Sequence, residues 1–87
     1  MAQPTLLEFP CQFPIKVIGE TRDELAQQMC EIVLRHVPAF DPATIAMKPS
    51  AQGKYLAMTF AIEARSKEQL DALYRELSAH PWVTMVL

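Results

Sequence analysis

From Lys54 to Ala64 the chain alternates without a break, with Leu56, Met58, Phe60 and Ile62 on one side and Tyr55, Ala57, Thr59, Ala61 and Glu63 on the other. A period of two held this long belongs to a β-strand whose two faces meet different surroundings. A strand buried on both faces of a parallel sheet would read instead as one continuous apolar run. The segment therefore predicts an antiparallel sheet with one face in the core and one face of smaller, more polar residues left open.

The rest of the chain must supply what covers that sheet, and with 87 residues it has material for one core only. A chain of this size buries only about 60–65% of the surface it exposes when unfolded. Its 51% hydrophobic and 21% charged residues are those of an ordinary globular domain.

Residues 1–10 hold Pro4 and Pro10 and show no sustained period; they read as a flexible or partly docked arm, with Leu6, Leu7 and Phe9 available to dock. The domain proper is expected over residues 11–87. From Phe13 to Gly19 the apolar Phe13, Ile15 and Val17 alternate as in a half-buried strand, and Pro14 favours an edge or a strand start. Thr21 and Glu24 have the spacing of a capping box, and Leu25, Met29, Ile32, Val33 and His36 then recur at helical intervals until Pro38 ends the helix.

Ala39 to Pro42 reads as a turn, Ile45 and Met47 suggest a short strand limited by Pro49, and Ser50 to Gly53 form a hairpin loop. After the long strand, Ser66 and Gln69 repeat the capping-box spacing, Leu70, Leu73, Tyr74 and Leu77 make a second apolar stripe, and His80-Pro81 ends it. Trp82 to Leu87 has strand composition, with Val83, Met85 and Leu87 expected on one face. The order is β, α, β, β, α, β. Right-handed crossovers then place both helices on one face of a four-stranded antiparallel sheet, an α+β sandwich of the ferredoxin-like kind.

Leu7-Glu8-Phe9-Pro10, Lys16-Val17-Ile18-Gly19, Lys48-Pro49-Ser50, Gly53-Lys54-Tyr55 and Met85-Val86-Leu87 resemble the corresponding stretches of the YbeD-like family of small bacterial proteins. The resemblance runs from residue 6 to 87 and continues through Glu31, Val33, Arg35, His36 and Pro38, and through Glu68-Gln69, Leu73-Tyr74 and Glu76-Leu77. It implies a ferredoxin-like sandwich similar to the small-molecule-sensing ACT regulatory domains, in a family of uncharacterised function. Its members tend to be encoded near lipoate-synthesis enzymes, which implies a pathway but identifies no residue.

No residue pattern points to catalysis, and the expectation is a protein that is not an enzyme and needs no cofactor. His36 and His80 stand near the helix ends, where the dipole favours an imidazolium, and no Cys/His cluster accompanies them as a metal site would require. Cys30 has His36 six residues on, off its helical face, and reads as an inert thiol. Cys11 and Cys30 lack CxxC spacing and are too few for a disulfide framework, so reduced thiols are expected. Glu20, Asp23 and Glu24 read as capping residues that would repel a bound anion, and two glycines, Gly19 and Gly53, are too few for a phosphate-binding loop.

The most informative polar stretch is Lys48 to Tyr55, and the candidate binding surface comprises Lys48, Ser50, Gly53, Lys54 and Tyr55 with Thr59 beside them. The plainer alternative is a solvated hairpin in which Gly53 supplies an unusual backbone angle and the lysines discourage edge-to-edge aggregation. RNA-recognition domains share the strand order, but Tyr55 is followed by Ala57 and Thr59 where stacking aromatics would stand, and the net charge of −2 gives no general pull on phosphates or anionic lipid.

An ACT-like ligand would be expected at Gly19 to Arg22, which lacks the Pro-Gly turn common in amino-acid-binding members. No apolar run nears the roughly 20 residues of a membrane helix, and Met1 to Pro4 is not the start of a signal peptide. The expectation is thus a cytoplasmic regulatory or adaptor domain that binds a protein partner through sheet surfaces around Tyr55, Ala57, Thr59, Ala61 and Val86. The alternative is an ACT-like small-molecule sensor linked to lipoate metabolism. Neither nucleic acid nor membrane is expected as a partner, and a homodimer is allowed.

Overall fold

The computed structural model describes residues 9–87. Along the chain run β1 (Cys11–Glu20), α1 (Leu25–His36), a single 3-10 turn at Pro42–Thr44, β2 (Ala46–Pro49), β3 (Tyr55–Ala64), α2 (Lys67–Ala79) and β4 (Val83–Val86). The strands form one antiparallel sheet in the order β2-β3-β1-β4. This is the ferredoxin-like arrangement the alternation predicts. The expected arm falls largely on residues outside those described, while Phe9 packs partly buried against the core.

β1 pairs with β3 over its full length, Cys11 opposite Ala64 through Glu20 opposite Tyr55, so it is a central strand although it contains a proline. The reason lies in the direction of the amides. Lys16 exchanges both main-chain hydrogen bonds with Leu87, and Glu20 N–H donates to Trp82 O at 2.9 Å, so the even-numbered amides of β1 point towards β4. Pro14 belongs to that set, two residues beyond the pairing with Leu87, and its missing N–H faces a side of β1 that β4 does not reach.

The core forms where the inward side chains of β1 and β3 meet the helices. Ile15, Val17, Met58, Phe60 and Ile62 from the sheet and Leu25, Met29, Ile32, Val33, Leu70, Leu73 and Leu77 from the helices are all buried. Burial of each large side chain is worth about 1.5–3 kcal/mol. Among the described residues no polar or charged residue is buried with them. Phe40, in the segment read from sequence as a turn, joins this core with its ring 5.7 Å from that of Phe60.

The two helix starts differ from each other. Ser66 caps α2 as its spacing predicts, its hydroxyl accepting from Gln69 N–H at 3.1 Å. The Gln69 carboxamide does not return to Ser66; it accepts from Arg65 N–H at 2.6 Å and donates to His36 O at 2.8 Å, tying the start of α2 to the end of α1. The expected capping box at Thr21 and Glu24 does not form. Thr21 N–H donates to Lys54 O, extending the β1–β3 ladder, and a turn closed by Leu25 N–H on Arg22 O intervenes before the helix. Glu24 occupies the N-cap position without a side-chain hydrogen bond, and the first turn holds no acidic residue. Glu20 pairs with Arg22 instead of capping.

The last strand also departs from the simple alternation. Val17 lies opposite Val86 and Ile18 opposite Met85, but Gly19 lies opposite Val83, a bulge that gives Thr84 no partner. One extra residue reverses the phase of a strand. Val83 and Val86 therefore both pack on the core, whereas Met85 and Leu87 are exposed. The expected grouping of Val83, Met85 and Leu87 on one face, with Val86 on the open side, is corrected by this bulge.

Candidate interaction surface

Residues opposite each other in an antiparallel pair share a face, so the register maps the side of the sheet that the described helices leave open. One row across it is Lys48, Ala57, Ile18 and Met85; the next is Ala46, Thr59 and Lys16, with Leu87 bonded to Lys16. Ala61 with Pro14 and Glu63 with Gln12 continue the face at one end, and Tyr55 with Glu20 closes the other. Met85 is 48% and Leu87 57% exposed, and with Ile18 they make an apolar patch bordered by two lysines.

Of the six candidate residues, Lys48 on β2 and Thr59 and Tyr55 on β3 belong to this face. Ser50 and Gly53 do a different job. Ser50 N–H donates to Tyr55 O, the Ser50 hydroxyl accepts from Tyr55 N–H at 3.1 Å, and Gly53 N–H donates to Ser50 O, so both residues are engaged in closing the β2–β3 hairpin. Gly53 has φ of 72°, the left-handed conformation in which a β-carbon is strained. Lys54 lies with its ammonium 5.6 Å from the centre of the Tyr55 ring, at the rim of the open face.

The β1–α1 loop, where an ACT-like ligand would be expected, carries side-chain contacts of its own. The Arg22 guanidinium sits 4.7 Å over the Trp82 ring while holding Glu20 at 2.9 Å. His80 lies edge-on to Trp82, 5.2 Å between ring centres, and its Nδ1 accepts from Trp82 N–H at 3.1 Å. That bond leaves Nε2 as the protonated nitrogen of neutral His80, donating to Gln28 Oε1 at 2.5 Å. His36 Nε2 meets Glu76 Oε1 at 2.7 Å, and Arg35 also reaches Glu76, so both histidines join the two helices.

Between the helices, on their outer side, lies a groove of about 500 Å³ lined by Glu24, Gln28, Glu31, Arg35, Glu76 and His80. Cys11 and Cys30 are unbridged, and burial together with the neighbouring Glu31 carboxylate pushes the Cys30 thiol above its ordinary range. Among the described residues no three His, Cys, Asp or Glu side chains converge as a metal would require.

Sequence reasoning misses the outward turn of Met85 and Leu87, the Trp82 cluster and the tie that Gln69 makes between the helices. A bulge leaves no mark in so apolar a stretch as Trp82 to Leu87, so the outward turn of Met85 and Leu87 was not readable.

Residues 4–87 match the family described as protein of unknown function (DUF493). A UPF0250 protein of Bordetella parapertussis is 51% identical over 85 residues, covering 98% of this chain and 93% of its own. A UPF0250 protein of Nitrosomonas europaea is 42% identical over 87 residues and the full length of both. Among solved structures, an H. pylori protein superposes with a TM-score of 0.77 at 20% identity, covering 98% of this chain and 88% of that one. The ACT domain from GTP pyrophosphokinase of Chlorobium tepidum, in solution, gives a TM-score of 0.66 at 17% identity, covering 87% and 84%. At these identities the structural likeness establishes a shared fold.

Proposed function

The chain belongs to the DUF493 (UPF0250) family, and from that premise we propose that it is a non-enzymatic regulatory or adaptor domain that binds a protein partner through the open face of its sheet. The observation that carries this reading is the apolar patch of Ile18, Met85 and Leu87 beside Ala57 and Thr59, on the side of the sheet opposite the helices. A contiguous apolar area of this kind on a small domain marks a contact surface. At the β1–α1 loop, where an ACT-like ligand would bind, Arg22 is already engaged with Trp82 and Glu20, which favours the same reading.

Chemical crosslinking and pull-down with the full chain, compared with Thr59→Glu, tests it. A charge at the centre of the face should abolish capture while leaving stability within about 0.5 kcal/mol. Capture that is the same with both proteins would reject the open face as the binding surface.

A second reading, an ACT-like small-molecule sensor, is supported by the groove between α1 and α2, whose volume of about 500 Å³ lies in the range of small-molecule sites. Amide-shift titration with amino acids and lipoate-related metabolites separates it from the first. Saturable shifts at Gln28, Glu31 and Glu76 would favour the sensor, and silence across the panel would remove it.

A further inference from the structure

The chain carries a net charge of −2, yet the open face presents Lys16 on the central β1 and Lys48 on the edge strand β2, neither of which has an ion-pair partner among the described residues. The carboxylates of that face, Glu20 and Glu63, stand at its two ends and are bridged by Arg22 at 2.9 Å and Arg65 at 3.3 Å. Glu24, Glu31 and Glu76 line the groove on the helix side. The apolar patch of Ile18, Met85 and Leu87 is thus accompanied by two lysine ammonium groups that no side-chain carboxylate among the described residues pairs.

We infer that the open face receives an amphipathic helix of another protein, with its apolar stripe on Ile18, Met85 and Leu87 and carboxylates directed at Lys16 and Lys48. This rests on the adaptor reading and specifies the chemistry of the partner. A helix fits because the main-chain groups of β1 and β3 are already paired within the sheet, so an occupant of the face must be read by side chains, as α1 and α2 are on the other face. From β2 to β4 the face is three strand spacings wide, about 14 Å, which a helix of about ten residues spans.

Charge also decides against other occupants. A second copy related by a two-fold axis would bring the same lysines into one interface. Nucleic acid would leave the apolar patch without a counterpart and find Tyr55 as the single aromatic on the face. A second copy stacked head to tail, its acidic helix layer on this face, would propagate into an open filament.

The test uses the full chain in bacterial cells with a photoreactive phenylalanine analogue in place of Met85 or Ile18, and Glu68 on the exposed side of α2 as the control position. The expected result is an adduct at positions 18 and 85 but not at 68, mapping to a helical segment with carboxylates flanking its apolar stripe. Lys16→Glu combined with Lys48→Glu should lower its yield by about tenfold or more, with an amide spectrum that still reports the native fold.

A peptide of the captured segment should bind the full chain more weakly as salt rises. An adduct on a segment without carboxylates, on RNA, or on a second copy would overturn the inference while leaving a use for the face. So would a yield unchanged by the double charge reversal. No adduct at positions 18 and 85 would remove the adaptor reading itself.

Discussion

The main-chain carbonyl oxygen of Trp82 stands 2.8 Å from the point where a β-carbon on Gly19 would sit, and the two methyl groups of Leu25 lie 3.2 and 3.3 Å from that point. The same carbonyl accepts the Glu20 N–H at 2.9 Å. A methyl group at position 19 must therefore move the backbone at Trp82, just before β4, and strain the pairing that positions the Trp82 cluster. Gly19→Ala is expected to lower stability by about 1–3 kcal/mol, read as a lower urea midpoint at an unchanged slope.

Gly53→Ala tests the other use of glycine. Nothing lies within 4 Å of a β-carbon there, but φ is 72°, so the cost is conformational, about 1 kcal/mol. Gly53→Asn should recover part of it, since asparagine tolerates this region. Amide-shift changes should stay within Ser50 to Tyr55 for both variants, whereas Gly19→Ala should shift β4 and the start of α1. A Gly53→Ala spectrum altered across the sheet would contradict this division.

The contrast between these glycines shows where sequence reasoning reaches and where it stops. Gly53 was legible because turn chemistry is local, and Met58, Phe60 and Ile62 were legible because strand period directly reports burial. Gly19 was not, because its constraint comes from Trp82, distant in sequence and brought near by the β1–β4 pairing. The false capping box at Thr21 has the same origin: the spacing was right, but the Thr21 amide is taken by Lys54 O from another strand. On the open face, Lys48 and Thr59 could be placed from alternation, while Met85 and Leu87 depended on a bulge that composition does not encode.

Gln69 joins the two helices, and its removal should cost more than removal of the cap it accompanies. Ser66→Ala deletes one hydrogen bond to Gln69 N–H and should cost about 1 kcal/mol. Gln69→Leu leaves both Arg65 N–H and His36 O without their partner. The exposed Arg65 N–H can turn to water, whereas the part-buried His36 O left without its partner costs about 1–3 kcal/mol. Urea unfolding of both variants should give the larger loss for Gln69→Leu, with amide exchange accelerated at the end of α1, which Ser66→Ala should leave unchanged. Equal losses, or protection at Val37 that does not fall, would show that the bridge contributes nothing.

The alkaline side of the stability profile follows from Cys30 and Tyr74. Burial raises both, Cys30 above its ordinary 9.0 with help from Glu31, and Tyr74 above 10.0. The Tyr74 hydroxyl donates to Leu87 O at 3.2 Å and its ring meets Phe13 edge-on at 6.5 Å, contacts that a phenolate with no proton to donate would weaken. A group whose pKa is raised by folding holds more protons in the native state than in the unfolded one once the pH passes its unfolded value. Its contribution to stability is therefore complete below that value and is lost as the pH rises through the folded one. Unfolding free energy from these two groups should hold level up to pH 9.0 and decline across 10.0 and beyond. Urea titrations at stepped pH, with Cys30→Ser combined with Tyr74→Phe as the comparison, should show a shallower decline in the double variant. Identical slopes would mean that neither group is held neutral by the fold.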